Sequence, residues 1–149
     1  MPHVLLMLAS SALLAATPAR PIVVVDLYTE PSLFHRRYQV YEAEVTYSDL
    51  SGYPTSDNAS SVRVSPRGQQ ELKEAVAQLR STPLAQSYAA RGALDGFAIE
   101  LDYLAADGRR RVRVSNCAVP QLLPLISFIN RRVPASFAIP ASTASCSTE

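Results

Sequence analysis

The clearest pattern in the chain is an alternation of hydrophobic and polar residues over 97–115, which predicts a β-hairpin. The turn lies in Ala105-Ala106-Asp107-Gly108, where Gly108 supplies the left-handed residue. In this register charged side chains meet on one face and apolar side chains on the other. The predicted cross-strand pairs are Glu100 with Arg113, Asp102 with Arg111, Ile99 with Val114, and Leu101 with Val112.

Three more strands are predicted ahead of the first helix. Residues 22–28 (IVVVDLY) are rich in β-branched side chains, and residues 61–65 (SVRVS) suit a short strand. Residues 37–47 alternate with period two and predict one long, half-buried strand. Its apolar positions are Tyr41, Ala43, Val45 and Tyr47.

Spacings of three and four residues between apolar side chains predict two helices. The first begins after the capping pair Ser65-Pro66, and the second covers residues 122–133; a short helical turn is expected over 84–90. The buried stripe of the first helix is Leu72, Ala75, Val76 and Leu79. The resulting order, β-β-β-α-β-β-α, predicts an α+β fold with a small antiparallel sheet and both helices packed on one face.

Residues 1–19 have the pattern of a signal peptide. An uncharged run, Val4 to Ala16, precedes the small residues Thr17 and Ala19, so the mature chain is expected to begin near Arg20. An uncleaved anchor and a buried first helix are the alternatives, although the run is shorter than the ~20 residues that cross a bilayer. We therefore expect a periplasmic or secreted protein with a single domain over 20–139 and a flexible Ala/Ser/Thr tail over 140–149.

Composition narrows the classes of partner. A net charge of +1 argues against a nucleic-acid-binding protein, and no membrane span is expected once the signal is removed. The two cysteines, Cys117 and Cys146, predict a disulfide in an exported protein, with two free thiols as the alternative. The sequence does not indicate an oligomeric state.

Residues 97–133 carry a resemblance to a wider group of proteins. An aliphatic-aromatic strand, an Asp-Gly turn, an arginine-rich return strand, a proline and a hydrophobic helix follow one another in FAIELDYLAADGRRRVRVSNCAVP and the residues after it. This quarter of the chain resembles small exported bacterial proteins of unknown function. The resemblance implies a bacterial exported domain and implies no activity.

Catalytic and cofactor motifs are sparse in the sequence. His35 is the only histidine after the predicted signal, and its position predicts a surface loop. The sequence lacks a glycine-rich phosphate loop and the His-x-x-His and Cys-x-x-Cys spacings of metal sites, so no catalytic, cofactor or metal residue is predicted. The arginine partners of Glu100 and Asp102 would keep both carboxylates ionised, which removes the general acid of a glycosidase.

Two surfaces are candidates for binding. Arg109, Arg110, Arg111 and Arg113 are a candidate patch for an anionic ligand or a partner protein. Tyr47 and Tyr53 flank the polar loop over 49–60 and are the tyrosines expected to be exposed. These features favour a non-enzymatic exported binding or accessory domain. The alternative is a small hydrolase or thiol enzyme that uses Cys117, which lies just before a helix where a thiolate is stabilised.

Overall fold

The computed structural model describes residues 19–30, 34–52, 59–91 and 96–148. In these residues one mixed sheet of eight strands carries two α-helices, and the strand order across the sheet is β4-β3-β2-β1-β6-β7-β5-β8. The strands are β1 (Val23–Glu30), β2 (Phe34–Val40), β3 (Glu44–Asp49), β4 (Ser60–Arg63), β5 (Ser87–Ala89), β6 (Gly96–Ala105), β7 (Gly108–Ser115) and β8 (Ser147–Thr148). The helices are α1 (Pro66–Ser81) and α2 (Leu123–Asn130), with short 3-10 segments at Pro120–Leu122 and Ala135–Phe137.

The α+β class is confirmed, but the small antiparallel sheet in the order β-β-β-α-β-β-α is wrong. The sheet is larger, and β5 pairs with β7 in parallel. The helical turn expected over 84–90 is instead β5. A strand of three residues is too short to show a period, and its pairing with Ser115 and its neighbours is a contact between distant parts of the chain.

The single strand predicted over 37–47 is two strands joined by a tight turn. Val40 pairs with Val45, and the Tyr41 amide donates to the Glu44 carbonyl oxygen at 2.9 Å across the turn. The buried residues change from even positions, Tyr38 and Val40, to odd positions after the turn. The alternation after Tyr41 therefore concealed the reversal, because the turn contains neither glycine nor proline.

The β6–β7 hairpin has the predicted register. Leu101 pairs with Val112 and Asp102 pairs with Arg111, and the strands close on Ala105 and Gly108. The backbone of Gly108 has φ = +127°, a conformation that residues with a Cβ rarely adopt, so the turn requires glycine here. The two faces of the hairpin consequently have the chemistry that its sequence predicts.

Both helices pack on one face of the sheet, and their apolar stripes complete a single core. Ser65 caps α1 by accepting a hydrogen bond from the Gly68 amide at 3.2 Å, as its sequence predicts. The predicted stripe of α1 is buried, and α2 contributes Leu125, Phe128 and Ile129. From the strands, the core takes Val23, Val25, Leu27, Tyr38, Val40, Val45, Ile99, Leu101, Tyr103, Val112 and Val114.

An ionic contact joins the two helices at the surface. Glu71 on α1 accepts hydrogen bonds from Arg132 at 3.1 Å and from Arg131 at 3.2 Å, beside the end of α2. The Arg132 hydrogen bond is the main reason that the pKa of Glu71 lies below its ordinary value. The Arg132 guanidinium also stacks on the Phe128 ring at 3.6 Å, so one side chain serves both the ion pair and the packing of α2.

The C-terminal segment is attached to the body of the protein at several points. Cys117 and Cys146 form the predicted disulfide, β8 pairs with β5, and the Ser142 hydroxyl donates to the Asn116 carbonyl oxygen at 2.9 Å. These contacts hold residues between 142 and 148, which belong to the tail that composition alone predicts to be flexible. The signal-peptide prediction falls almost wholly on residues outside the described ones, and within the described residues neither helix is long and apolar enough to cross a membrane.

We expect burial to dominate the energetics of the hairpin. Leu101 is 2% exposed, so Leu101→Ala should lower the free energy of unfolding by about 2–5 kcal/mol through lost contacts and a cavity. The Arg111 side chain is 72% exposed, so Arg111→Ala should lower it by less than about 1 kcal/mol. Urea unfolding measures both, and a larger loss for Arg111→Ala would contradict this assignment of faces.

The disulfide should make a large contribution to stability by restricting the unfolded chain. Its cysteines are 29 residues apart, for which a chain-entropy estimate gives about 3–4 kcal/mol. The double variant Cys117→Ala/Cys146→Ala should lose this amount in urea unfolding. Added reductant should destabilise the wild type and leave the double variant unchanged; equal stability of reduced and oxidised wild type would refute the prediction.

Candidate functional site

The face of the sheet opposite the helices is polar, and no helix among the described residues covers it. Each strand turns alternate side chains to this face, while the residues between them enter the core. We call this surface the charged face. Its central members are Asp26 and Tyr28 on β1, His35 and Arg37 on β2, Glu100 and Asp102 on β6, and Arg109, Arg111 and Arg113 on β7.

Asp26 is the best-enclosed carboxylate of the charged face, with a side chain that is 13% exposed. Its Oδ1 accepts hydrogen bonds from Arg37 Nε and lies 2.8 Å from His35 Nε2, while Oδ2 accepts from the Arg37 guanidinium at 3.1 Å. The His35 ring stacks on Tyr28 with centroids 4.5 Å apart. His35 therefore lies on a strand in a packed cluster, and its prediction as a loop residue is wrong.

The pKa of Tyr28 is shifted by burial and by the charges of this cluster. Burial raises its pKa above the ordinary value, and the negative charges of Asp26 and Glu100 raise it further. Arg37 and Arg113 act in the opposite direction. Tyr28 therefore remains a neutral hydroxyl in the physiological pH range and is a hydrogen-bonding group rather than an anion.

The arginines of β7 pair with the carboxylates of β6. Arg113 donates to Glu100 at 2.9 Å, as the predicted register requires. Asp102 is contacted more closely by the diagonal neighbour Arg109, at 2.7 Å, than by Arg111, whose nearest distance is 3.6 Å. The result is a row of guanidinium groups in which Arg111 is the most exposed and the least closely paired.

The predicted four-arginine patch is divided between the two sides of β7. The Arg110 side chain lies on the opposite side of the strand from those of Arg109, Arg111 and Arg113, and its guanidinium pairs with Asp107 at 2.6 Å. Asp107 has a lowered pKa, chiefly because of this hydrogen bond. All four arginines nevertheless line one cleft, because the cleft lies at the edge of β7 and receives side chains from both sides.

Two concavities meet along this row of arginines. The cleft beside β7 has a volume of about 710 Å³ and is also lined by Leu84, Gln86 and Val112. A smaller depression of about 340 Å³ lies over the centre of the charged face, between Asp26 and Asp102. Glu100, Arg109 and Arg111 line both, so one ligand could contact the face and the edge together.

The other candidate residues lie elsewhere. Tyr47 faces the helix side and packs edge-on against Phe137, with ring centroids 4.8 Å apart, while Tyr53 is outside the described residues. Cys117 is 4% exposed and bonded to Cys146, so it has no free thiol. Neither the tyrosine pair nor Cys117 contributes to the charged face.

The chemistry available on the charged face is hydrogen bonding and charge recognition. In the part of the chain that the structure describes, no three His, Cys, Asp or Glu side chains are grouped to hold a metal ion. The His35 ring is hydrogen-bonded to Asp26, while the nearby Ser51 hydroxyl accepts from the His35 backbone amide at 2.8 Å. These contacts orient His35 within the cluster.

Sequence reasoning identified the arginines and missed the cluster around Asp26. Asp26 interrupts the apolar run over 22–28 (IVVVDLY), which also contains Tyr28, and this interruption was the available signal. The pairing of that carboxylate with Arg37 depends on the β1–β2 register, in which the two residues lie opposite each other. Comparison with protein-family models and with curated proteins finds no match.

The charge on Asp26 should control the ionisation of Tyr28. Asp26→Asn removes a negative charge that raises the pKa of Tyr28 and frees Arg37 to favour the phenolate, so this pKa should fall. An NMR pH titration of the labelled tyrosine ring measures it. Asp107→Asn removes a carboxylate at the distant turn and should leave Tyr28 unchanged; the same result for both variants would contradict the geometry.

Proposed function

We propose that this chain is an exported, non-enzymatic binding or accessory protein whose charged face and adjoining cleft hold an anionic partner. The observation that carries this proposal is the row of Arg109, Arg111 and Arg113 at two-residue spacing beside a cleft of about 710 Å³. A guanidinium has five N–H donors, and a single carboxylate contact occupies at most two of them. Arg109 and Arg111 therefore retain N–H donors for a ligand.

The balance of charge at the cleft favours an anion. Four arginines line it, and among the described residues the carboxylates within ion-pair distance of them are Glu100, Asp102 and Asp107. Arg111 is 72% exposed, with its nearest carboxylate oxygen at 3.6 Å. The paired carboxylates also hold the guanidinium groups in place, which reduces the side-chain entropy that a ligand must remove.

The disulfide supports the export part of the proposal, because disulfides persist mainly in oxidising compartments. It also weighs against the thiol-enzyme alternative, which requires a Cys117 thiolate. His35 is hydrogen-bonded to Asp26 and stacked on Tyr28, an arrangement that suits a structural role in the charged face. A binding protein needs no further chemistry than these groups provide.

The test uses fluorescein-labelled poly-L-glutamate as the probe and anisotropy as the readout, in buffer of low ionic strength. Arg109→Ala/Arg111→Ala should weaken binding by about tenfold, or ~1.4 kcal/mol, because it removes two guanidinium groups from the cleft. The control Arg63→Ala/Arg67→Ala removes the same charge from exposed positions on β4 and α1 and should change the affinity by less than about twofold.

Equal loss of affinity in the two double variants would indicate attraction by overall charge and would overturn the proposed site. Failure of the wild type to bind poly-L-glutamate at low salt would overturn the function itself. Added salt should weaken the wild-type interaction, because the groups concerned are near the surface.

A further inference from the structure

The outward edge of β7 is paired along only part of its length. Its residues direct their N–H and C=O groups alternately toward β6 and toward the opposite side, as in any antiparallel pair. On that opposite side the Arg113 amide donates to Gln86 at 2.9 Å, and the Ser115 carbonyl accepts from Ala90 at 3.0 Å. By the same alternation, the backbone groups of Arg109 and Arg111 point to this side as well.

The neighbouring strand stops before it reaches those two residues. β5 pairs with β7 only from Arg113 to Ser115, and no other strand of the described residues lies beside Arg109 and Arg111. The cleft of about 710 Å³ occupies this position, between the segment that carries Leu84 and Gln86 and the edge of β7. The cleft therefore contains both the arginine side chains and an open stretch of strand backbone.

We propose that an extended acidic segment of a partner polypeptide binds in this cleft by adding a strand to β7 at Arg109–Arg111. This inference rests on the proposed function and specifies its ligand. An added strand supplies an N–H for each carbonyl and a carbonyl for each N–H of the edge. A phosphate or sulfate chain has acceptors only and leaves the Arg109 and Arg111 carbonyls without donors, which is why we assign a polypeptide.

Side-chain alternation gives the sequence that such a segment should have. Every second residue would lie on the charged face beside Arg109, Arg111 and Arg113, where Asp or Glu is favoured. The residues between them would face Leu84 and Val112, where small or apolar side chains fit. The open edge from Gly108 to Val112 accommodates about five residues at ~3.4 Å per residue.

The charges on the edge also argue that the partner is a different polypeptide. Two copies of this chain that joined through β7 would bring their arginine rows side by side, and like charges on neighbouring strands are unfavourable. An acidic strand brings opposite charges together at the same positions. The open edge is therefore protected from self-association and remains available to an acidic segment.

The experiment uses a fluorescein-labelled octapeptide of alternating glutamate and threonine, and the same peptide with its internal amides N-methylated. N-methylation keeps the charge and removes the backbone donors, so it should weaken binding at least about fivefold. In the wild type, the bound octapeptide should slow hydrogen exchange at the Arg109 and Arg111 amides, with Arg110 as the internal control because its amide faces β6.

A pair of variants separates the backbone from the side chain at one position. Arg111→Ala removes the guanidinium, and Arg111→Pro also removes the outward N–H, which an edge strand can lose without breaking the β6 ladder. Arg111→Pro should bind the octapeptide at least about fivefold more weakly than Arg111→Ala. If Arg111→Pro does not fold, as judged by urea unfolding, the methylated peptide and the amide exchange decide the question.

The outcomes distinguish this inference from the proposed function. Equal binding of the two peptides with unchanged exchange at Arg109 and Arg111 would overturn strand addition and leave the arginine site intact. Tighter binding of dextran sulfate than of the octapeptide would overturn the assignment to a polypeptide. Failure of both the octapeptide and poly-L-glutamate to bind would overturn the strand and the site together.

Discussion

The register of the β6–β7 hairpin is the constraint on which the rest of this structure depends. In a strand, a shift of one residue moves every side chain to the other face. Such a shift would send Arg111 and Arg113 toward the helices and expose Val112 and Val114, which are each 2% exposed in the fold. The core, the charged face and the outward backbone groups at the edge of β7 therefore all follow from one alignment.

In the proposed function, one face of the sheet serves stability and the other serves recognition. The buried face joins the helices in a single apolar core, where each large side chain contributes on the order of 2 kcal/mol. Partly exposed ion pairs such as Asp102–Arg109 contribute little to stability, so in the proposed function the charged face is free to be shaped by its ligand. Asp26 differs from these pairs, because it is enclosed and organises both Arg37 and His35.

The C-terminal segment adds the last strand on one side of the sheet, where part of the β7 edge stays uncovered. The disulfide of Cys146 holds the chain where β8 can pair with β5, and β5 in turn pairs with the end of β7. Exposed strand edges promote unwanted pairing, and proteins commonly cover them. Here the segment that is hydrogen-bonded to the outer edge of β7 begins at Gln86, opposite Arg113. The arginine-rich part of β7 before that point therefore faces the cleft.

The sequence by itself determined the features that depend on near neighbours. The hairpin register, the Ser65 cap and the stripe of α1 are patterns within about 20 residues. The arginine row of the candidate site was visible for the same reason. For the two cysteines the sequence left a disulfide and two free thiols as alternatives, and the structure shows the disulfide. Only the tertiary structure decided the parallel β5–β7 pair, the addition of β8 and the cluster around Asp26. These features arise where burial of the core brings together segments that are distant in sequence. In addition, a strand of two or three residues is too short for an alternating pattern to be recognised.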